Sequence, residues 1–277
     1  NVGGALGNNS CGAHSIVWGK TIDNVIELTT VLSNGEVATL GPLTNEQMEA
    51  RMKSDSLEGT IYSSVVEIAN DNRNDIGARF PDIQRRVSGY NLDEAIHPTN
   101  KLNMARFVVG SEGTLLTITD AKLKIVPNPK HKALAILHFK DLIESMEATV
   151  ATLDVDPASV ELIDSMIIRQ AQSNLEYSKM TSFIEGAPEA LLLVELTGDS
   201  DIEVISKLDS LERRMKKSRL GYAMRRVVEP QEQEQVWAVR KAGLGLMMNV
   251  PGNAKPLPFV EDTAVDPERL PEYVRRF

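Results

Sequence analysis

Two short segments of the chain combine glycines with small polar residues, a composition typical of loops that bind ligands. Glycine lets a backbone approach a ligand closely and leaves N–H donors available to it. The first segment supplies these candidates: Gly3, Gly4, Asn8, Asn9, Ser10 and Gly12. It lacks the Gly-x-Gly-x-x-Gly spacing after a strand that marks a Rossmann dinucleotide site. Taken alone, these residues fit a binding loop or an ordinary surface loop.

The second segment is a turn with glycine near both ends. It consists of Gly110, Ser111, Glu112, Gly113 and Thr114. Glycines at these positions also suit a plain hairpin turn, because a tight connection needs their backbone freedom. The turn is therefore either a ligand contact or only a connection between two strands.

The titratable residues predict no metal site. A single cysteine, Cys11, excludes an internal disulfide and any zinc or iron–sulfur site built from several cysteines of this chain. The four histidines lack the spacing of metal ligands: His14, His97, His131 and His138. His138 lies in the apolar run 133–139, so we expect it to be a packed residue.

Composition and charge indicate a globular protein whose partners are small molecules or other proteins. The chain has 277 residues, 42% of them hydrophobic, which suits one large or two ordinary domains. A net charge of −9 argues against binding to nucleic acid. No apolar run approaches the length of about 18 residues that a membrane span requires. With one cysteine, the protein fits a reducing compartment, and we expect a cytoplasmic location.

The first half of the chain predicts an antiparallel sheet with helices. Val25–Leu32 and Val37–Leu40 flank Asn34-Gly35, a strong hairpin pattern. Thr44 and Gln47 form a capping box at the start of one helix, and apolar residues at helical spacing predict a second over 61–68. We expect loops with little helix over 70–103. Two further strands, Ala105–Val109 and Leu115–Val126, are predicted to pair across the glycine turn.

Pro127-Asn128-Pro129 interrupts this pattern, and we place a domain boundary there. The second half alternates strands with helices, which predicts an α/β layer. Strands are expected over 133–139, 159–162, 190–196, 222–228 and 258–265. Helices are expected from Asp141, with Glu144 completing a capping box, and over 164–176, 200–217 and 231–248. A chain that opens without Met on a glycine-rich segment is expected to be an internal piece of a longer protein.

Five ordered motifs together resemble the FAD-linked oxidases of the vanillyl-alcohol oxidase superfamily, which have a PCMH-type FAD-binding domain. Within it the chain is most similar to the D-2-hydroxyacid dehydrogenases acting on D-lactate, D-2-hydroxyglutarate or glycolate. The motifs are Asn8-Asn9-Ser10-x-Gly12, Trp18-Gly19-Lys20-Thr21-x-Asp23, Val31-Leu32-x-Asn34-Gly35, Gly89-Tyr90-Asn91-Leu92, and Gly110-Ser111-Glu112-Gly113-Thr114 with Ile118-Thr119. The phrase from Arg85 to Glu94 resembles large members fused to an iron–sulfur region.

The resemblance implies an α+β fold in which residues 1–128 are the second lobe of the FAD-binding domain and residues 129–277 are part of a substrate, or cap, domain. It implies that the Gly3–Gly12 segment and the Gly110–Thr114 turn approach the flavin and pyrophosphate, and that Ile118 lies near the adenine. Arg240 matches an arginine that grips the substrate carboxylate, and Lys255 matches a second anion contact.

Two parts of the family pattern do not match this chain. The first FAD lobe, which cradles the pyrophosphate, would precede Asn1, and the segment that brings the catalytic histidine would follow Phe277. We therefore assign no catalytic base within the chain. The cap, in the same way, is expected to continue beyond these residues.

The resemblance implies oxidation of a D-2-hydroxyacid to a 2-oxoacid by hydride transfer to FAD. Electrons would pass to an acceptor protein or a fused iron–sulfur region, and the enzyme would work in the cytoplasm, free or attached peripherally to the inner membrane. Two alternatives stay open: a scaffold that binds no flavin by itself, and a superfamily oxidase for another alcohol or amine. Arg240 argues against the second alternative, since such substrates lack a carboxylate.

Overall fold

The computed structural model describes residues 1–96, 102–249, 252–257 and 263–277. The chain divides into two compact units, Asn1–Val126 and Pro127–Phe277. The division falls at the Pro127-Asn128-Pro129 sequence. Each unit has a hydrophobic core of its own.

The first unit combines short helices with a small sheet. Its elements are α1 (Val2–Gly7), α2 (Ser15–Trp18), α3 (Thr21–Asn24), β1 (Val25–Val31), β2 (Val37–Leu40), α4 (Asn45–Met52), α5 (Leu57–Asp71), α6 (Arg73–Arg79), a 3₁₀ turn at Leu92–Ala95, α7 (Met104–Val108) and β3 (Thr117–Leu123). The strands lie in the order β2-β1-β3, and both pairs are antiparallel. The predicted hairpin is confirmed: Leu28 pairs with Leu40, and Gly35 has a φ of 86° in the connecting turn.

The helices that follow the hairpin begin where the capping pattern predicts. The Thr44 hydroxyl accepts from the amide of Gln47, whose side chain accepts in return from the amide of Thr44. The helix α5 buries Tyr62 and Ala69 completely, whereas Ile68 is exposed. Near the end of α5, the side chain that faces the core is therefore Ala69 and not its neighbour Ile68.

Three predictions for the first unit are wrong. Ala105–Val109 is not a strand, because the Asn103 side chain caps the amide of Ala105 and starts the helix α7. The strand β3 therefore pairs with β1 and not across the glycine turn. The predicted loops over 70–103 also contain a regular helix, α6, whose Ile76 is buried.

The second unit is a four-stranded antiparallel sheet with helices on both faces. Its elements are β4 (His131–Phe139), α8 (Leu142–Thr152), a 3₁₀ turn at Leu153–Val155, β5 (Ser159–Asp164), α9 (Ser165–Ser173), a 3₁₀ turn at Tyr177–Met180, β6 (Ala190–Gly198), α10 (Asp201–Ser218), β7 (Ala223–Val227), α11 (Pro230–Lys241), α12 (Gly243–Met248), a 3₁₀ turn at Pro267–Arg269 and α13 (Leu270–Arg276). The strand order is β5-β6-β4-β7.

Alternation along the central strands distributes side chains between two cores. On one face of β6, Leu192 and Val194 pack with α8 and α10 through residues such as Ala148 and Leu208. On the other face, Leu191 and Leu193 pack with α9, α11 and α12. The predicted α/β alternation is confirmed, and it places α11 against the sheet.

Local departures from the predicted elements are few in this unit. Asp141 caps α8 as expected, but the Glu144 carboxylate accepts from the amide of Gly221 and does not complete the capping box. The predicted helix 231–248 ends and restarts at Ala242. Of the predicted strand 258–265, residues 258–262 lie outside the described residues, and 263–265 form no strand.

Candidate cofactor and substrate sites

The first glycines belong to a helix and not to the predicted loop. The Asn1 side chain caps α1 by accepting from the amide of Gly4 at 2.7 Å, so Gly3 and Gly4 form the first turn. Leu6, only 1% exposed, fixes the helix to the core of the first unit. The amide of Gly4 is therefore already used within the chain.

The loop that follows α1 is organised by its own polar side chains. Asn9 has a left-handed φ of 52° and is buried, and its Oδ1 accepts from the amide of Ile22 at 3.0 Å. The Ser10 hydroxyl donates to Asn8 Oδ1 at 2.6 Å. The amide of Gly12 donates to the Ser15 hydroxyl at 2.8 Å. Asn8 and Asn9 thus hold the loop in shape, which is a structural task.

The structure brings the two predicted glycine segments together. The amide of Gly110 donates to the Leu6 carbonyl, and the amide of Glu112 donates to the Gly7 carbonyl, both at 2.9 Å. Gly110, Glu112 and Gly113 all have positive φ values, of 86°, 52° and 71°. A left-handed turn therefore docks on the carboxyl end of α1.

Few backbone donors of this assembly are left for a ligand. The amide of Ser111 donates to the carbonyl of Val108, at the end of α7, and the amide of Thr114 donates to the carbonyl of Ser111 within the turn. Within the described loop Asn8–Gly12 and turn Gly110–Thr114, the amides of Asn9, Cys11 and Gly113 have no hydrogen-bond partner, and Asn9 is buried. A side chain at Gly12 or Gly113 would meet open space. Close approach of a ligand is thus possible at these two glycines, beside the unused donors.

A cavity of about 600 Å³ opens beside the loop. Ser10 and Gly12 line it, together with Trp18, Lys20 and Lys124. His14, also in the lining, stacks on Trp18 with the ring centroids 4.9 Å apart. Flat rings and ammonium groups suit a ligand that carries both an aromatic system and negative charge. In the sequence, Trp18 and Lys20 belong to a motif of the resembled family, but neither was predicted to be a site residue.

Ile118 serves the core of the first unit. It lies on β3 opposite Thr30, next to a bulge in the β1–β3 pairing, and its half-buried side chain packs against the core. The turn Gly110–Thr114 and Ile118 are absent from the described lining of the cavity. The predicted cofactor residues therefore lie in three places: the segment from α1 to Gly12, the adjoining turn Gly110–Thr114, and Ile118 on β3.

Arg240 extends from α11 toward the sheet of the second unit. Its Nε and Nη2 atoms donate to the same oxygen, Glu161 Oε2, at 3.0 and 2.6 Å. The Glu161 side chain is 14% exposed and that of Arg240 is 35% exposed. Within the described residues, Nη1 of Arg240 has no hydrogen-bond partner. One edge of the guanidinium is thus held, and the other is available to an anion.

Two other polar residues belong to the same part of the sequence as Arg240, namely Trp237 and Lys255. Trp237, one turn before Arg240 on α11, donates from its indole N–H to Glu195 Oε2 at 3.2 Å. Glu195 is buried on β6. Lys255 lies in the described stretch 252–257, where its side chain is exposed.

His138 is a packed residue, as expected. It is fully buried, and Nε2 accepts from the amide of Glu185 at 3.0 Å. The proton therefore sits on Nδ1, which is 3.1 Å from the Ile136 carbonyl. Burial lowers the pKa of the ring below its ordinary value, although the nearby Glu185 carboxylate opposes this shift. The ring is held neutral.

The part of the chain that the structure describes holds neither a cluster of metal ligands nor a helix that could span a membrane. No group of three or more metal-binding side chains occurs there. His97 lies outside the described residues. None of the described helices is long and apolar enough to cross a membrane.

Comparison with known proteins places the chain in a family. Residues 128–277 match the family of FAD linked oxidases, C-terminal domain. The match spans more than half of the chain, and the protein therefore belongs to the FAD-linked oxidase family.

The individual proteins that the chain resembles have names that are more specific than the family description. The chain is 30% identical to the D-2-hydroxyglutarate dehydrogenases of Pseudomonas putida and Escherichia coli, over its whole length. It covers 28% of each of those proteins. The glycolate oxidase subunit GlcD of Bacillus subtilis is 24% identical, with 99% of this chain and 46% of that protein covered.

A solved structure supports the fold alone. An alkyldihydroxyacetonephosphate synthase matches with a TM-score of 0.51 and 16% identity, covering 89% of this chain and 37% of that one. Such low identity carries no information about the reaction.

Proposed function

We propose that this chain works as part of an FAD-dependent dehydrogenase that oxidises a D-2-hydroxyacid to the 2-oxoacid. The observation that carries the proposal is Arg240, whose guanidinium is held at one edge and has an unused Nη1 at the other. An arginine fork is suited to a carboxylate, because two parallel N–H bonds match its oxygens. The dehydrogenases that match the whole chain are named for a 2-hydroxyacid.

The first unit has features that fit FAD. Gly113 has a positive φ and open space where a side chain would lie, and the amides of Gly113 and Cys11 are unused among the described residues. The neighbouring cavity adds the stacked His14–Trp18 pair and two lysines. When bound, the flavin would supply the hydride acceptor. We assign the cofactor contacts to the Asn8–Gly12 loop and the Gly110–Thr114 turn, with Ile118 near the adenine.

In the second unit, we assign substrate binding to Arg240 and Lys255. Arg240 binds the carboxylate beside the reacting carbon, which fixes the direction of the C–H bond. Lys255 supplies a second positive charge for the anionic substrate. The base that takes the hydroxyl proton belongs, in this proposal, to a residue outside the chain.

Electrons from the reaction would pass to an acceptor protein or to a fused iron–sulfur region. The single cysteine suits a reducing compartment, and we place the enzyme in the cytoplasm, free or attached peripherally to the inner membrane.

Arg240→Ala in the full-length enzyme tests the proposal. Loss of a charge-assisted bidentate contact should lower kcat/KM for 2-hydroxyacids by about thirty- to a thousandfold, or roughly 2 to 4 kcal/mol. Arg240→Lys should recover only part, because an ammonium lacks the planar fork. The corresponding alcohols without a carboxylate should be oxidised equally by all three enzymes.

Arg225→Ala is the matched control. Arg225 forms an ion pair with Glu232 in the same unit, and its side chain is 33% exposed, close to the value for Arg240. We expect this variant to keep wild-type kcat/KM. If Arg240→Ala affects both substrate types equally, or neither, Arg240 is not the carboxylate anchor.

A further inference from the structure

We infer that Glu161 is a positioning residue that orients Arg240 for the substrate carboxylate. This inference rests on the proposed function, because it assigns Glu161 a role through Arg240. The contact joins residues 79 positions apart in the sequence. It links the middle of β5 to the last turn of α11.

The geometry selects one edge of the guanidinium. Glu161 Oε2 accepts from Nε and Nη2 of Arg240, at 3.0 and 2.6 Å. Both bonds use the edge nearest the side-chain stem. The outer edge, formed by Nη1 and the second hydrogen of Nη2, keeps its fork geometry for a carboxylate. Glu161 thus occupies donors that the substrate does not need.

The support beneath Glu161 is rigid. Glu161 pairs with Leu193 on β6, and its neighbours Val160 and Leu162 are also in register with that strand. Its side chain is 14% exposed, so few rotamers are open to it. A partly buried carboxylate on β5, an edge strand held in register along its length by β6, can therefore fix an arginine whose own side chain is long and flexible.

A second contact repeats this arrangement one turn earlier on the same helix. Trp237 donates to Glu195, and Glu195 lies on β6 opposite Ser159, two residues from Glu161 on β5. Two carboxylates on one sheet face therefore hold two side chains of α11. Together they fix the rotation of the helix about its axis, and this sets the direction in which Arg240 points.

A double-mutant cycle in the full-length enzyme tests the role of Glu161. Glu161→Ala should lower kcat/KM for a 2-hydroxyacid by about ten- to a hundredfold, mainly through a higher KM, because the guanidinium loses its orientation. Glu161→Gln keeps the length and an acceptor oxygen, so we expect a smaller loss of about two- to fivefold. In the Arg240→Ala background, Glu161→Ala should cause no further loss.

The control is Glu232→Ala, which breaks a different carboxylate–guanidinium pair between α11 and the sheet and leaves Arg240 alone. It should keep wild-type KM. Flavin absorbance and melting temperature show which variants have folded, and Glu161→Gln replaces Glu161→Ala if the latter has not. A merely structural role would give losses that add to that of Arg240→Ala.

Three results would overturn the inference. The first is an additive cycle. The second is a KM that falls in Glu161→Ala, because Glu161 would then occupy the place of the substrate. The third is a wild-type KM in both Glu161 variants while Arg240→Ala is impaired, which leaves the proposed function intact. A normal kcat/KM in Arg240→Ala would instead reject the proposed function itself.

Discussion

Adding a methyl group at Gly110 should destabilise the first unit more than the same change at Gly113. Both glycines have left-handed backbones, with φ values of 86° and 71°. Alanine in this region costs about 1 to 2 kcal/mol at either position. The surroundings differ: a Cβ at Gly110 would lie 3.2 Å from Asn9 Cβ, whereas one at Gly113 would meet nothing within 4 Å.

The additional cost at Gly110 follows from what Asn9 does. Asn9 is buried and accepts from the amide of Ile22, so it cannot move aside without weakening that bond. Overpacking of this kind costs about 1 to 3 kcal/mol. We therefore expect the Gly110→Ala free energy of unfolding to be about 2 to 5 kcal/mol below wild type, and that of Gly113→Ala about 1 to 2 kcal/mol below.

Urea unfolding of the chain, followed by tryptophan fluorescence, measures this difference. The chain has two tryptophans, so a Trp237→Phe background leaves Trp18, in the first unit, as the reporter. Equal losses in both variants would refute the argument, since the Asn9 contact would then contribute nothing. A Gly110→Ala protein as stable as wild type would refute the backbone cost as well.

Two further predictions concern the pH and the cofactor. Burial lowers the pKa of His138, so on acidification the ring is protonated in the unfolded chain at a higher pH than in the native protein. The contribution of His138 to the free energy of unfolding should be complete above about pH 6.5 and should decrease as the pH falls toward the lowered native pKa. In a His138→Gln variant, the free energy of unfolding measured with urea should depend less on pH. If it depends on pH as strongly as in the wild type, His138 is not the origin of the effect. In the full-length protein, Gly113→Val should reduce flavin content per protein, because the side chain would fill the open space at the turn; full loading would make the turn a plain connection.

The predictions that succeeded depended on local or strictly periodic patterns. Asn34-Gly35 between two apolar strands specified the hairpin, since that dipeptide tolerates positive φ. In the second unit, the predicted helices α8, α9 and α10 were confirmed, since the side chains of Asp141, Asp164 and Ser200 cap them. Both patterns act within a few residues of one another, which is why a sequence displays them.

The predictions that failed concern short segments. A run such as Ala105–Val109 suits a strand or a buried helix, and the Asn103 cap decided the outcome. Gly3 and Gly4 suggested a loop, but the Asn1 side chain supplies the first bond of a helix. Capping by one side chain outweighs the low helix propensity of glycine.

The candidate sites could be predicted only in part. Resemblance to a family singled out Arg240, whereas Glu161 carried no pattern of its own and is brought to it by the pairing of β5 with β6. The cavity beside the Asn8–Gly12 loop likewise depends on how α2 and the end of β3 meet. Contacts made by folding over long distances in the sequence are invisible to local patterns.

The most direct test of the proposed function is anaerobic reduction of the flavin in the full-length protein by the two enantiomers of a 2-hydroxyacid. The proposal predicts that the D enantiomer bleaches the absorbance of oxidised flavin and that the L enantiomer does so far more slowly. With a matching alcohol that lacks the carboxylate, flavin should be reduced at the same rate in the wild type and in Arg240→Ala. Flavin that stays oxidised with every 2-hydroxyacid, yet is reduced by an aromatic alcohol or an amine, would contradict it.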